Sequence, residues 1–235
     1  MQKYLTIVNI SKGWDTFSVQ FSCELDKGTM LGIVGQSGSG KSTVLRLISG
    51  LLSFSKTSTL ESKKESKIML GGRDISKLPP AKRGVGMVFQ NHALFAHMRV
   101  DDNVAYGLRS SKKISKKESR IQAEHMLEKF GMRDFSKRYP DSLSGGEAQR
   151  VSLARTLIVK PDLILFDEPF ASLDAPLRKK LALDIKRLQA ETGFTGIMVT
   201  HDIAEAKQMS DVITIMKQGK QIWTGEPGEF RENMM

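Results

Sequence analysis

Eight residues from Gly35 to Ser42 carry the clearest chemical signal in the chain. They read Gly-Gln-Ser-Gly-Ser-Gly-Lys-Ser and begin at the last residue of Met30–Gly35, an apolar segment closed by glycine and typical of a buried strand. Glycines let backbone N–H groups approach phosphate oxygens at the start of the next helix. Lys41 can reach the β- and γ-phosphates, and the Ser42 hydroxyl can bind Mg²⁺. An ordinary Gly/Ser turn explains neither the Lys-Ser pair nor the glycine spacing, so the stretch predicts a nucleotide-phosphate site.

Two carboxylates follow a second strand-like segment, Leu163–Phe166. Ligands of open α/β sheets bind at the carboxyl ends of the strands, where Asp167 and Glu168 would lie. Asp167 would hold Mg²⁺, directly or through water, and Glu168 is the candidate general base for an attacking water. A strand followed by an acidic turn is the alternative, and the phosphate motif upstream makes it the weaker one.

The segment Leu143-Ser-Gly-Gly-Glu147 is the most discriminating one. Ser144 and Glu147 form a capping-box pattern for a helix. Gly145 and Gly146 fall in its first turn, where each costs up to about 1 kcal/mol relative to alanine. A purely structural cap gives no reason for this pair, whereas a phosphate that approaches open N–H groups does. Two such helix starts in one chain either bind two anions, or two chains face each other and share each nucleotide.

Strands and helices alternate along the chain, and these are the elements that must position the motifs. Strands are predicted at Met30–Gly35, Gly86–Gln90, Leu163–Phe166 and Gly196–Thr200, with a final hairpin of Val212–Met216 and Gln221–Thr224. Helices are predicted at Lys41–Gly50 and at about 115–130, 145–159 and 176–190, the first with an apolar stripe that includes Leu51. This alternation favours a mostly parallel α/β sheet, with a helix-rich insertion at about 93–150.

Composition excludes several classes of protein. The 235 residues include one cysteine, which excludes a disulfide framework. No run without polar side chains exceeds six residues, and the N-terminus has no apolar signal region, so we expect neither a transmembrane segment nor a secretory signal. Much of the net charge of +10 lies in two Ser/Lys-rich stretches, 53–67 and 109–120. No aromatic residues alternate with these bases, which argues against a nucleic-acid groove.

Taken in order, these motifs resemble those of the ATP-binding subunits of ABC transporters. Walker A (35–42), the Q-loop residue Gln90, the signature (143–147), Walker B (163–169), the D-loop (171–174) and the H-loop (200–202) all match, and the resemblance runs from about residue 4 to residue 230. It implies an α/β fold: a P-loop NTPase (RecA-like) core with an N-terminal antiparallel β portion and an inserted α-helical subdomain. The core would comprise about 1–92 and 151–235, and the subdomain about 93–150.

The same resemblance implies a dimer that sandwiches two ATP molecules. The Walker A loop of one protomer would face Ser144–Glu147 of the other. Gln90 would contact Mg²⁺ and the attacking water, Asp174 would line the dimer interface, and His201 would hold the γ-phosphate. Trp14 resembles the aromatic residue that stacks on adenine, although a buried core tryptophan is the alternative. The expected nucleotide-binding residues are Trp14, Gly35, Gln36, Ser37, Gly38, Ser39, Gly40, Lys41, Ser42, Thr43, Gln90, Ser144, Gly145, Gly146, Glu147, Asp174 and His201.

Within the family, residues 90–108 look like the corresponding region of bacterial solute importers, especially iron, polyamine and sulfate systems. An apolar patch of Ala93, Leu94, Phe95 and Met98 would receive a permease helix, although it could instead be ordinary packing. The resemblance implies an ATPase that uses ATP and Mg²⁺ at the cytoplasmic face of the membrane, with a second ATPase protomer, permease subunits and an extracytoplasmic solute-binding protein as partners.

The sequence departs from the family in two ways, and two alternative functions remain. Residues 53–67 replace a shorter connection in the family, so we expect a disordered loop there. The chain ends 34 residues after His201, so we expect no C-terminal regulatory domain. A non-transport ABC ATPase that acts on nucleic acid, the ribosome or the division machinery shares the same motifs. A P-loop kinase is the other alternative, but it would not need Leu143–Glu147.

Overall fold

The computed structural model describes residues 2–55, 66–112, 114–171 and 173–231, together with Met234. Most of the predicted 53–67 loop, residues 56–65, lies outside the described residues. The chain divides into two compact units. The first, here called the core unit, comprises Met1–Val85, Asp162–Glu168 and Leu188–Met235. The second, here called the helical unit, comprises Gly86–Pro161 and Pro169–Arg187.

Ten strands and six α-helices are described. The strands are β1 (Leu5–Gly13), β2 (Ser18–Leu25), β3 (Met30–Val34), β4 (Lys67–Leu70), β5 (Arg73–Asp74), β6 (Val85–Val88), β7 (Leu163–Asp167), β8 (Thr195–Thr200), β9 (Val212–Lys217) and β10 (Lys220–Gly225). The helices are α1 (Lys41–Ser49), α2 (Val100–Lys112), α3 (Lys116–Lys129), α4 (Gly145–Leu157), α5 (Ala175–Thr192) and α6 (Ile203–Met209).

A six-stranded sheet has the order β10-β9-β3-β8-β7-β6. The neighbours β9, β3, β8 and β7 run parallel, and every residue of β3, β7 and β8 is buried. Continuous apolar strands of this kind are typical of a parallel sheet that is covered on both faces. The register sets Val34 beside Thr200 and Asp167 beside Val199, so the residues that follow these strands emerge at one edge of the sheet.

A four-stranded antiparallel sheet has the order β2-β1-β4-β5. Leu5 pairs with Leu25 on one side and with Leu70 on the other. Val19, Phe21 and Leu25 of β2 are buried at alternating positions, as expected for a strand with one face in the core. The expected N-terminal antiparallel portion is therefore confirmed, as is the hairpin between β9 and β10, where Gln218 and Gly219 both have positive φ.

Helix α1 carries the residues that follow the phosphate motif. Its buried face consists of Val44, Leu45, Leu47 and Ile48, as predicted. The prediction for Leu51 is wrong, because this side chain is 54% exposed. The helix ends at Ser49, and Gly50 adopts the left-handed conformation, which turns the chain before Leu51 can continue the stripe.

The helical unit contains α2, α3, α4 and the first part of α5. Predicted helices at 115–130, 145–159 and 176–190 are confirmed, with each end shifted by at most two residues. Asp102, in the first turn of α2, accepts hydrogen bonds from Arg109 of α2 and Arg120 of α3, at 2.6 Å each. These contacts join the two helices through a charged cluster. In the described part of the chain, no helix is both long enough and apolar enough to cross a bilayer.

Candidate functional site

The phosphate loop lies between β3 and α1 in the core unit. Gly38 and Gly40 have φ values of 82° and 98°, a region that favours glycine, and Gly40 is the N-cap of α1. A Cβ atom on Gly35 would overlap the Met216 carbonyl oxygen, and one on Gly40 would lie 2.6 Å from a methyl carbon of Val19. These glycines are therefore required by backbone conformation or close packing. The resulting loop leads into a helix N-terminus, a standard site for an anion.

Lys41 is buried and held inside the loop. Its Nζ donates hydrogen bonds to the carbonyl oxygens of Gly35 and Gln36, at 2.7 and 3.0 Å. Burial lowers the pKa of the Lys41 ammonium, and the nearby carboxylates of Glu168 and Asp167 act in the opposite direction. A desolvated ammonium in this position attracts an incoming phosphate more strongly than an exposed one would, because less water screens its charge.

Ser42 and Asp167 meet at the start of α1. The Ser42 hydroxyl donates to Asp167 Oδ1 at 2.8 Å, and Asp167, the last residue of β7, is only 9% exposed. The sequence predicted both residues as Mg²⁺ ligands, and the structure brings them together. No group of three or more His, Cys, Asp or Glu within the described residues could hold a metal ion. One carboxylate and one hydroxyl beside a phosphate loop nevertheless suit Mg²⁺, which completes its octahedron with water and substrate phosphates.

Glu168 and His201 lie next to each other just beyond β7 and β8. His201 Nδ1 is 3.3 Å from Glu168 Oε2, and the His201 side chain is 60% exposed. Glu168 has φ 46°, a left-handed conformation that costs a non-glycine residue about 1–3 kcal/mol. Its N–H donates to the Val199 carbonyl at 3.1 Å, which holds the strained turn in place. The arrangement points a carboxylate and an imidazole toward the same region of the sheet edge.

Trp14 follows β1 directly and is 48% exposed, so the alternative of a buried core tryptophan is wrong. Its ring stacks on Phe17, with centroids 6.2 Å apart. Phe17 also lines a pocket together with the phosphate loop (35–39) and the β9 end and turn (215–218). The sequence prediction missed Phe17 and the β9 wall of this pocket. Neither has a motif of its own, and only the chain topology places them beside Gly35.

In the helical unit, the predicted capping box at the start of α4 is present. The Ser144 side chain accepts from the Glu147 N–H at 3.4 Å, and the Glu147 carboxylate accepts from the Ser144 N–H at 2.7 Å. The expectation that a structural role gives no reason for the glycine pair is wrong for Gly146. This residue is buried, and a Cβ atom there would overlap Leu177 Cδ2, so packing gives a structural reason for a small residue at this position.

The remaining predicted residues of the helical unit lie in exposed positions. Gln90 is exposed in a turn, two residues after the end of β6. The Asp174 carboxylate accepts from the Leu177 N–H at 2.9 Å, which makes it the helix cap that the sequence also indicated. Ser172 of the predicted D-loop lies outside the described residues. The structure therefore gathers Walker A, Walker B and the H-loop histidine in the core unit, and Gln90, the signature and Asp174 in the helical unit.

These features define a P-loop NTPase fold, and comparisons with known proteins agree. The family model for "ABC transporter" matches residues 19–171. The chain is 42% identical over 230 residues to the Fe(3+) ions import ATP-binding protein FbpC of Rhizobium etli, covering 97% of this chain and 62% of that protein. It is also 42% identical over 230 residues to the spermidine/putrescine import ATP-binding protein PotA of Hahella chejuensis, covering 97% and 60%.

A solved structure extends the likeness to three dimensions. The ATP-binding cassette MJ0796, determined as a dimer in a post-hydrolysis state bound to ADP and Pi, superposes with a TM-score of 0.80 at 28% identity, over 96% of this chain and all of that one. The chain belongs to the ABC transporter family. It spans about three fifths of the length of the curated relatives named above.

Proposed function

We propose that the chain is the ATP-binding and ATP-hydrolysing subunit of an ABC importer. The observation that carries the proposal is the constellation at the edge of the parallel sheet. There, Lys41 lies inside the phosphate loop, Ser42 contacts Asp167, and Glu168 contacts His201. The identity to two import ATP-binding proteins, along nearly the whole chain, supports the importer class.

The chemistry follows from these side chains. Lys41 and the α1 N-terminus bind the β- and γ-phosphates, and Trp14 stacks on the adenine ring. Glu168 accepts a proton from the attacking water, while His201 donates a hydrogen bond to the γ-phosphate. Mg²⁺, held by Ser42 and Asp167, would neutralise charge on the phosphate oxygens. Electrostatic stabilisation by groups that are already in place supplies most of the lowering of the barrier.

A second protomer completes each site in this proposal. Ser144–Glu147 of one chain would contact the γ-phosphate bound by the other, and Asp174 would lie at the interface. The exposed capping box provides a second helix N-terminus suited to an anion, and the dimeric form of the related cassette supports the same arrangement. We expect a homodimer at the cytoplasmic face of the membrane. Permease subunits would contact residues 90–108, and an extracytoplasmic solute-binding protein would complete the complex.

Release of inorganic phosphate by the purified chain tests the enzymatic part of the proposal. With ATP and Mg²⁺, we expect turnover that Lys41→Ala reduces by at least about 100-fold, because the phosphates lose their buried cation. Lys82→Ala removes an exposed lysine elsewhere in the core unit and should leave turnover unchanged. Equal turnover in wild type and Lys41→Ala would contradict the assignment of the site.

Co-purification tests the transport part. The tagged chain should be recovered from detergent extracts together with an integral membrane protein, and DNA or RNA should leave its ATPase rate unchanged. Stimulation of the rate by RNA or DNA, without a membrane partner, would instead favour an ABC ATPase that does not act in transport.

A further inference from the structure

A strained segment follows Gln90 in the helical unit. His92 and Ala93 are consecutive non-glycine residues with positive φ, 61° and 48°. Non-glycine residues rarely adopt this left-handed backbone conformation. Two such residues in succession persist only where neighbouring groups hold the backbone. The strain lies between Gln90 and the apolar residues Leu94 and Phe95, which are proposed to face the permease.

The groups that hold the segment lie on one face of α4. Gln149, Ser152 and Arg155 follow one another at three-residue intervals. Ser152 Oγ and Arg155 Nη2 both donate to the His92 carbonyl, at 3.0 and 2.9 Å. Arg155 Nη1 donates to the Ala93 carbonyl at 2.6 Å, and His92 Nδ1 lies 2.6 Å from Gln149 Oε1. Four polar contacts therefore tie two residues of the segment to a single helix.

Three of these four contacts are partly buried, and the one to the Ala93 carbonyl is exposed. Gln149 and Ser152 are buried, and burial lowers the pKa of the Arg155 guanidinium. The Arg155 guanidinium carbon is also 5.8 Å from the centroid of the Phe95 ring, so the same side chain reaches the apolar patch. Charged donors make stronger hydrogen bonds than neutral ones, and breaking partly buried bonds costs free energy. The link between α4 and residues 92–95 is therefore stiff.

The far end of the segment is anchored to a different helix. Asn103 of α2 is fully buried, and its side chain accepts from the Phe95 N–H at 2.8 Å and donates to the carbonyls of Phe95 and Met98 at 3.0 Å. Residues 92 and 93 are thus hydrogen-bonded to α4, whereas residues 95 and 98 are hydrogen-bonded to α2. A displacement of α4 would therefore pull on the segment at His92 and Ala93, where the backbone is strained.

We propose that Arg155 and Ser152 are positioning residues that transmit a movement of α4 to residues 92–95. The inference rests on the proposed function, because it takes the N-terminus of α4 as a phosphate-binding end and residues 90–108 as the face toward the permease. In this arrangement, a nucleotide that engages Ser144 displaces α4 along its whole length. The carbonyls of His92 and Ala93 move with it, and the patch at Leu94 and Phe95 is reoriented.

Amide hydrogen exchange on the full-length chain, with and without ATP and Mg²⁺, tests the proposal. In a Glu168→Gln background, which retains ATP, we expect nucleotide to change the exchange of amides 92–95 by at least about fivefold, the lower end of typical coupling between sites. Arg155→Met should reduce that change to less than about twofold while ATP still protects the phosphate loop. Arg155→Lys keeps the charge and one donor, so part of the response should return.

Two further variants keep the result interpretable. Ser152→Ala is nearly isosteric and should fold normally, with a response between those of wild type and Arg155→Met. Arg133→Met removes an exposed arginine of the same unit and should leave the response intact. A full response in both Arg155→Met and Ser152→Ala would overturn the proposal. A wild-type chain in which ATP protects the loop but leaves residues 92–95 unchanged would also overturn it. Absence of any ATP protection at the loop would instead overturn the proposed function and, with it, this inference.

Discussion

At the scale of single residues, Gly146 has a packing role that the sequence pattern did not reveal. A Cβ atom at this position would overlap Leu177 Cδ2. Gly146→Ala should lower the free energy of unfolding by about 1–3 kcal/mol, as expected when a methyl group is forced into a filled core. Urea denaturation followed by circular dichroism measures this change.

The matched control for this prediction is Gly228→Ala, because nothing lies within 4 Å of a Cβ atom there. Its free energy of unfolding should stay within about 0.5 kcal/mol of wild type. Identical denaturation midpoints for Gly146→Ala and wild type would show that Leu177 gives way easily and that packing does not require this glycine.

The sequence could predict the pairing of Ser42 with Asp167 because both residues belong to motifs with fixed positions relative to strands and helices. It could not predict the exposure of Trp14, since a lone tryptophan after an apolar strand suits a core equally well. The contacts of Arg155 could not be predicted from the sequence either. They connect residues more than 60 positions apart, and one side of the contact is a strained loop that carries no motif.

At the scale of elements, Asp102 joins α2 to α3. Hydrogen bonds from Arg120 hold the pKa of its carboxyl well below the usual range, and Arg109 acts in the same direction against partial burial. Asp102→Asn should lower the free energy of unfolding by about 1–3 kcal/mol, because two partly buried guanidinium partners lose their charged acceptor. Asp26→Asn, which breaks an exposed pair with Lys3, should leave the free energy of unfolding nearly unchanged, because solvent screens the pair.

The sign of the pH dependence follows from the same pKa. A carboxyl whose folded pKa is depressed contributes stability above its unfolded pKa of about 3.9, and that contribution is lost as the pH falls toward the folded pKa. The difference in unfolding free energy between wild type and Asp102→Asn should therefore be constant above about pH 5 and shrink in more acidic solution. Thermal or urea unfolding from pH 3 to 7 measures it. A difference that grows on acidification would contradict the assignment.

Elements with strong local signals were predictable, and those with weak ones were not. Helix α1 begins after a glycine loop and ends just before Gly50, so its limits could be predicted from the sequence. Helix α2 went unrecognised as a separate element. It contains Asn103 and Gly107, which both have low helix propensity. Tertiary contacts override that propensity, because Asp102 meets two arginines and Asn103 bonds to the preceding loop.

At the scale of the whole molecule, the proposed function requires two copies of the chain. The core unit holds the loop, the carboxylates and His201, whereas the signature residues Ser144–Glu147 belong to the helical unit. The sequence predicts two helix N-termini that suit anions. It does not tell whether the two that contact one nucleotide belong to the same chain or to two chains. A hydrolysis-deficient variant separates binding from turnover, because loss of the general base leaves the phosphate-binding groups in place.

The most direct measurement is the mass in solution of Glu168→Gln with bound ATP. Sedimentation or light scattering with ATP and Mg²⁺ should give twice the chain mass of 26.2 kDa, with one ATP retained per chain. The double variant Glu168→Gln with Ser144→Arg should bind ATP but stay at the single-chain mass, because the arginine blocks the partner's phosphate. If Glu168→Gln retains ATP and still sediments as one 26.2 kDa chain at high concentration, the shared site proposed here is contradicted.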